Sequence, residues 1–145
     1  MKNALLVVLV PLAAMACAGG SDAESEATSE EAAAGSVTIT SPANGAVVSG
    51  STVVVQLSST VPIVPAGEMT DGTGHHHLYL DADLTAAGVP VPTVPGSIVH
   101  MGDASSSFTF EGLAPGEHRL IAVVADGVHV PLQPWVVDTV TFTVR

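Results

Sequence analysis

Six histidines are the side chains best suited to chemistry in this 145-residue chain, and all lie in its second half, at positions 75, 76, 77, 100, 118 and 129. Three of them are consecutive and begin a predicted β-strand that continues to Asp81. Successive side chains of a strand point to opposite faces. We therefore expect His75 and His77 to share one face, and His76 to lie on the other face with Leu78.

Two imidazoles on one strand face can bind a single metal ion if other parts of the chain supply further ligands. His100 and His129 are the leading candidates for those ligands. Other donors available to the site are the carboxylates of Asp81 and Asp126 and the thioethers of Met69 and Met101. Neutral imidazole suits Zn and Cu, whereas thioether selects Cu(I). The pattern thus predicts a Cu or Zn site at His75, His77, His100 and His129.

His76 and His118 are predicted to be structural. His118 lies in the segment Leu113-x-Pro-Gly-x-His118-x-Leu120, where immunoglobulin-like sandwiches often turn a corner with an aromatic, hydrogen-bonding residue. One imidazole nitrogen can donate to a backbone carbonyl while the ring packs against the core. We expect both side chains to be more buried than His75 and His77.

Two other interpretations of the histidines stay open. They could form a purely structural hydrogen-bonded network, or act as a pH sensor, because histidine titrates near neutral pH. A catalytic metal site with an open position is a third possibility, but the chain lacks Gly-x-Ser-x-Gly, His-Glu-x-x-His and a Gly-rich phosphate loop. The prediction is a non-enzymatic binding module; the alternative is a structural or adhesion module.

The elements that must position these histidines are predicted to be short strands. The chain is 47% hydrophobic but only 3% aromatic, with 14 glycines and 10 prolines, which favours strands and turns over helices. About seven alternating segments are separated by turn residues, from Val37-Thr-Ile39 to Val140-Thr-Phe142-Thr-Val144. We predict an all-β fold, a single immunoglobulin-like antiparallel β-sandwich of about seven strands, over residues 36–145.

The N-terminal residues are predicted to be an export signal. A positive start precedes 13 apolar or small residues, Ala4 to Ala16, fewer than the roughly 20 that span a bilayer. Residues 1–16 are therefore a predicted signal peptide, and Cys17, the only cysteine, is the predicted lipidation site. An incidental thiol is the alternative. Ala18 rather than Asp after the cysteine resembles the signal for the outer membrane, where the host has one.

Residues 17–35 are predicted to be an acidic, disordered tether, because the stretch after Cys17 has no large apolar residue. The chain as a whole carries a formal charge of −11, with 14 acidic and 3 basic residues. That charge excludes a phosphate-binding patch and hence a nucleic-acid partner. We expect a protein of the bacterial cell envelope, attached to the membrane only through its lipid, and no feature indicates a protein partner.

Several of these motifs together resemble a known family, the bacterial envelope domains called domain-of-unknown-function family 4399. The resemblance covers nearly all of residues 41–144, and its most specific part is Gly74-His75-His76-His77-Leu78. It also includes His100 before Gly102, Pro115-Gly116-x-His118-x-Leu120, and Asp126 with His129 and Pro131. The resemblance implies that all six histidines belong to the family pattern, but it implies no chemistry, because the family has no assigned function.

Overall fold

The described part of the protein is residues 35–145 of a computed structural model, and it folds into eight β-strands without helices. In chain order the strands are β1 (Val37–Ser41), β2 (Ala46–Val48), β3 (Val53–Ser59), β4 (His75–Leu80), β5 (Ile98–Met101), β6 (Ser107–Phe110), β7 (Gly116–Ala125) and β8 (Val137–Val144). No helix that could cross a bilayer occurs among these residues. The predicted signal peptide, Cys17 and all but the last residue of the predicted tether lie outside the described residues.

The strands form two sheets, which confirms the predicted all-β sandwich. One sheet has the order β1-β3-β6 and the other β2-β8-β7-β4-β5. This is the arrangement of an immunoglobulin-like sandwich whose first strand divides between the two sheets. All neighbours are antiparallel except β2, which runs parallel to β8. The fold therefore has eight strands rather than about seven, because a three-residue strand follows the turn at Asn44 and Gly45.

Alternating burial explains how the two sheets meet. On β3, Val53, Val55 and Leu57 are buried while the residues between them are exposed. These side chains pack against apolar residues of the larger sheet, such as Leu120 and Phe142, to form one core cluster. The period of two in the sequence thus places one face of each sheet in the interior.

The larger sheet is also covered on its other face. All six residues of β4 and the last six of β7 are buried, so these two central strands have no solvent-facing side. A second apolar cluster on this face contains Tyr79, Ile121 and Val123, together with Val91 from the long segment between β4 and β5. The Tyr79 hydroxyl lies 2.8 Å from the Thr85 hydroxyl of the same segment. This covering segment, residues 81–97, buries the Tyr79 part of the face that also carries His75 and His77.

Candidate metal centre

Strand pairing brings His75, His77 and His100 together on the covered face of the larger sheet. His77 is the direct cross-strand partner of His100 on β5, and His75 pairs with Ala125 on β7. Directly opposed residues on antiparallel strands point their side chains to the same face. Three imidazoles from two adjacent strands therefore lie side by side.

His129 reaches the same place from the turn after β7. Its backbone N–H donates to the Asp126 carbonyl at 2.9 Å, and the Asp126 carboxylate accepts from the N–H of Val128 and of Val130. His129 has a φ of 71°, a left-handed conformation that non-glycine residues adopt at some energetic cost, although histidine adopts it more often than most. Its carbonyl accepts from Val91 N–H at 2.8 Å, which joins the turn to the covering segment.

The four imidazoles converge closely. All six pairs of ring centroids lie between 4.6 and 5.6 Å apart. The Nε2 atoms of His75 and His77 are 3.0 Å apart, and those of His100 and His129 are 3.2 Å apart. The ligand atoms of His75, His100 and His129 all lie within 4.8 Å of one another. Four nitrogens around a tetrahedral ion at 2.0–2.1 Å are separated by about 3.4 Å, which is near the spacing within each Nε2 pair, although the group of three that lie within 4.8 Å of one another does not include His77.

Gly102 makes room for the His100 ring, and the sequence analysis did not identify this role. A Cβ atom at Gly102 would lie 2.7 Å from His100 Nε2 and 3.2 Å from the Ala66 methyl group. Any side chain there would displace the imidazole. The glycine that follows His100 by two residues in the sequence was the available signal, and only the structure shows what it contacts.

Burial keeps the central histidines neutral. Burial, the largest cause, and repulsion from the nearby His100 and His129 together lower the pKa of His75 to about 4. Burial and, after it, repulsion from His75 and His100 together lower the pKa of His77 to about 3. The pKa of His100 is also lowered, first by burial and then by His129. At neutral pH these rings therefore offer the uncharged nitrogen lone pairs that metal ions bind.

Two buried nitrogens behind the converging atoms have no partner. Nδ1 of His75 and Nδ1 of His77 make no hydrogen bond to any described residue. The contact between the two Nε2 atoms can be a hydrogen bond only if one ring donates and the other accepts, and the accepting neutral ring then carries an orphaned Nδ1–H. The cluster is thus incompletely hydrogen-bonded on its Nδ1 side, while the converging Nε2 atoms are the donors that a cation could bind.

His76 lies on the opposite face of β4, inside the sandwich. Its Nδ1 donates to the Ser105 carbonyl at 3.0 Å, whereas its buried Nε2 has no partner among residues 35–145. Burial lowers the pKa of His76, and the bond to Ser105 opposes that shift. Met101, the cross-strand partner of His76, is buried in the apolar core cluster between the two sheets. A thioether ligand from Met101 is therefore ruled out, because strand parity directs it away from His100.

His118 occupies the corner at the start of β7. Its Nε2 donates to the Ala114 carbonyl at 2.9 Å, and its Nδ1 lies 2.7 Å from the Asp81 carboxylate. The ring also stacks on Phe142. Burial disfavours the charged form of His118, but the bonds to Ala114 and Asp81 outweigh it and raise its pKa.

The expected order of burial was wrong. His75 and His77 are completely buried, like His76, whereas the His118 side chain remains 12% exposed. The reason is that the rings of His100 and His129 pack against His75 and His77, and the covering segment packs beside them on the same face, which the alternation of side chains along β4 alone would leave open. The alternation of side chains along β4 correctly assigned the histidines to two faces, but it gave no information on which residues cover each face.

The remaining candidate donors are not in the group of side chains that could share an ion. Asp81 is occupied by His118 and by the Arg119 N–H, and the Asp126 carboxylate holds its own turn. Met69 is 66% exposed and lies against the backbone at Gly127. Within the described part of the chain, the group of side chains close enough to hold a metal ion contains histidines alone.

Comparison with known proteins gives a family and no function. No curated protein and no solved structure is significantly similar to the chain. A family described as a domain of unknown function, DUF4399, matches residues 53–145, which include all six histidines and both sides of the converging site. With well over half of its length matched, the chain belongs to the DUF4399 family.

Proposed function

We propose that the protein is an envelope-anchored, non-enzymatic binding module that holds one Cu or Zn ion through His75, His77, His100 and His129. The observation that carries this proposal is the convergence of four imidazoles from two strands and a turn, with Nε2 facing Nε2. Neutral imidazole nitrogens are suitable ligands for both metals. The transition-metal ion is the partner that this donor set would recognise.

The cost of the metal-free arrangement supports the same function. Burying a polar atom without a hydrogen bond destabilises a folded protein by about 1–3 kcal/mol, and two such Nδ1 atoms lie behind the cluster. His129 adds a left-handed backbone conformation, and such strain is common where a residue is retained for function. A bound cation would leave the two Nδ1 atoms without partners, but it would give the closely spaced Nε2 lone pairs a common partner.

Four protein ligands favour binding over catalysis. Catalytic zinc sites usually have three protein ligands and keep one position for water or substrate, whereas structural sites are filled by four. If His77 joins the trio formed by His75, His100 and His129, the tetrahedral positions are complete. A site with all four positions filled is suited to storage, sensing or delivery of the ion.

Metal titration of the purified, tag-free protein tests the proposal. We expect one equivalent of Cu or Zn to bind, and we expect His77→Ala to weaken binding at least about tenfold, since one lost ligand removes more than 1.4 kcal/mol. His118→Ala serves as the matched control, because His118 lies at the corner and outside the cluster. Absence of binding by the wild-type protein would overturn the proposal.

A structural network is the second candidate function of the cluster. The Nε2 pairs at 3.0 and 3.2 Å have the separation of hydrogen-bonded imidazoles and are closer than two ligands of a tetrahedral ion. In that case His77→Leu should destabilise the metal-free fold, because it breaks a buried bond. If the cluster is instead a metal site, the metal-free His77→Leu variant should be as stable as the metal-free wild-type domain or more stable, as measured in the presence of a chelator.

The cellular location is part of the same proposal. The apolar N-terminal stretch, the single Cys17 and the acidic segment after it support export, lipidation and display of the domain at the bacterial envelope. The outer membrane is the proposed site where the host has one. Mass spectrometry of the native protein should find a lipidated Cys17 at the mature N-terminus, and retention of residues 1–16 would contradict this.

A further inference from the structure

The proposed ligand set carries no negative charge. Within residues 35–145, the side chains close enough to share an ion are histidines, without a carboxylate or thiolate among them. A divalent ion bound there would keep its full double charge on neutral ligands. The ionic charge that the site can stabilise therefore depends on the groups that surround the four rings.

The surroundings of His75 and His77 do little to disperse positive charge. Histidines that bind metal ions almost always donate their second ring nitrogen to a carboxylate, a carbonyl or water. The Nδ1 atoms of His75 and His77 are buried and have no such acceptor among the described residues. Both side chains are fully removed from solvent.

The nearest carboxylates bond to backbone groups instead of the rings. The Asp126 carboxylate accepts from Val128 and Val130, and the exposed Asp103 carboxylate accepts from the Ser105 N–H. The corner of the sandwich offers an internal contrast. There Asp81 lies 2.7 Å from His118 and stabilises the imidazole as a cation. The fold bonds a carboxylate to a histidine at the corner, whereas at the converging site Asp126 and Asp103 favour the charged forms of His75 and His100 only from a distance and bond to neither ring.

Resting on the metal site proposed above, we infer that this site selects a monovalent ion, Cu(I), over Zn(II) through its charge. The self-energy of an ion in a poorly polarisable interior grows with the square of its charge, so a monovalent ion costs about one quarter as much to bury. The trio of His75, His100 and His129 also suits Cu(I), which accepts two or three neutral nitrogen ligands. Zn(II) usually gains from anionic ligands or acceptors behind its histidines.

Competition titrations on the intact protein test the charge preference. Cu(I) and Zn(II) are each titrated without oxygen against colour-forming chelators, and Ag(I) serves as a monovalent ion that does not change oxidation state. We expect Cu(I) and Ag(I) to bind at one equivalent and Zn(II) to bind at least about 100-fold more weakly, a difference of about 2.7 kcal/mol. Zn(II) binding as tightly as Cu(I) would overturn this inference and leave the metal site standing. If none of the three ions binds, the proposed function fails as well.

A matched pair of variants isolates charge from shape. Asp and Asn have nearly the same size, and both tolerate the left-handed backbone at position 129. We expect His129→Asp to bind Zn(II) at least about tenfold more tightly than His129→Asn, since only the first adds an anionic ligand. Their Cu(I) affinities should differ less. Equal Zn(II) affinities of the two variants would contradict the inference.

Discussion

His77 and His100 are direct cross-strand partners, and their rings stack with centroids 5.1 Å apart and an interplanar angle of 29°. The register of β4 and β5 therefore determines how the two rings meet. A shift of one residue would place His100 opposite His76 or Leu78 and turn its ring to the other face. The geometry of the site is thus a direct consequence of strand pairing.

Gly102→Ala should weaken metal binding without unfolding the domain. The added methyl group would collide with the His100 ring, which must then turn away from the other three imidazoles. We expect a loss of affinity of about 10- to 100-fold, the usual effect of disturbing a group that orients a ligand. Titration of the variant beside a thermal melt checks this, and unchanged affinity would show that His100 is not a ligand.

His129→Gly should lower metal affinity while leaving the metal-free domain as stable or more stable. Glycine adopts a φ of 71° without the strain that histidine bears there, an effect of about 1 kcal/mol that the greater freedom of the unfolded chain partly offsets. Ala104→Gly is the matched control, because Ala104 has a φ of 62° and is not among the proposed ligands. Denaturation in a chelator and metal titration of both variants decide the matter; a parallel loss of metal binding in Ala104→Gly would contradict the prediction.

The metal-free domain should lose stability as the pH falls below 6.5. His75 and His77 have native pKa values of about 4 and about 3, so the unfolded chain takes up protons there and the folded chain does not. The contribution of each lowered pKa to the free energy of unfolding is fully present above pH 6.5 and is lost as the pH falls toward the native pKa. At pH 5 the loss is about 2 kcal/mol per histidine. Urea denaturation in a chelator between pH 5 and 7.5 measures this, and His77→Leu should reduce the slope. A flat profile would contradict burial of neutral rings.

His118 should have the opposite pH dependence. Its pKa is raised in the folded state, so its contribution is fully present below 6.5 and is lost as the pH rises through the raised value. We expect His118→Ala to destabilise the domain by about 1–3 kcal/mol at pH 6, and by less at pH 8.5. The metal affinity of this variant should stay within about threefold of wild type, because the ring lies outside the cluster. Equal destabilisation at both pH values would show that packing on Phe142, and not the bond to Asp81, dominates.

The sequence predicted the elements that alternate strongly and missed those whose role depends on distant contacts. All seven expected segments form strands, because their apolar residues recur with a period of two. The eighth strand, β2, has three residues and gains its partner only by leaving the first sheet. His100 and His129 lie beside His75 and His77, the same four residues that the sequence grouped. The complete burial of His75 and His77 could not be predicted, because it depends on residues that are distant in the sequence.

The hydrogen bond between the Val91 N–H and the His129 carbonyl has a kinetic consequence. It ties the turn of His129, whose ring packs against His75 and His77, to the covering segment, so we expect the turn to separate from this segment before the innermost imidazoles can meet solvent. Exchange of an ion would then follow the rate of this local opening, which needs far less free energy than unfolding of the whole sandwich. Residence time and affinity at such a site are separate properties, since loosening the covering segment would speed both capture and release.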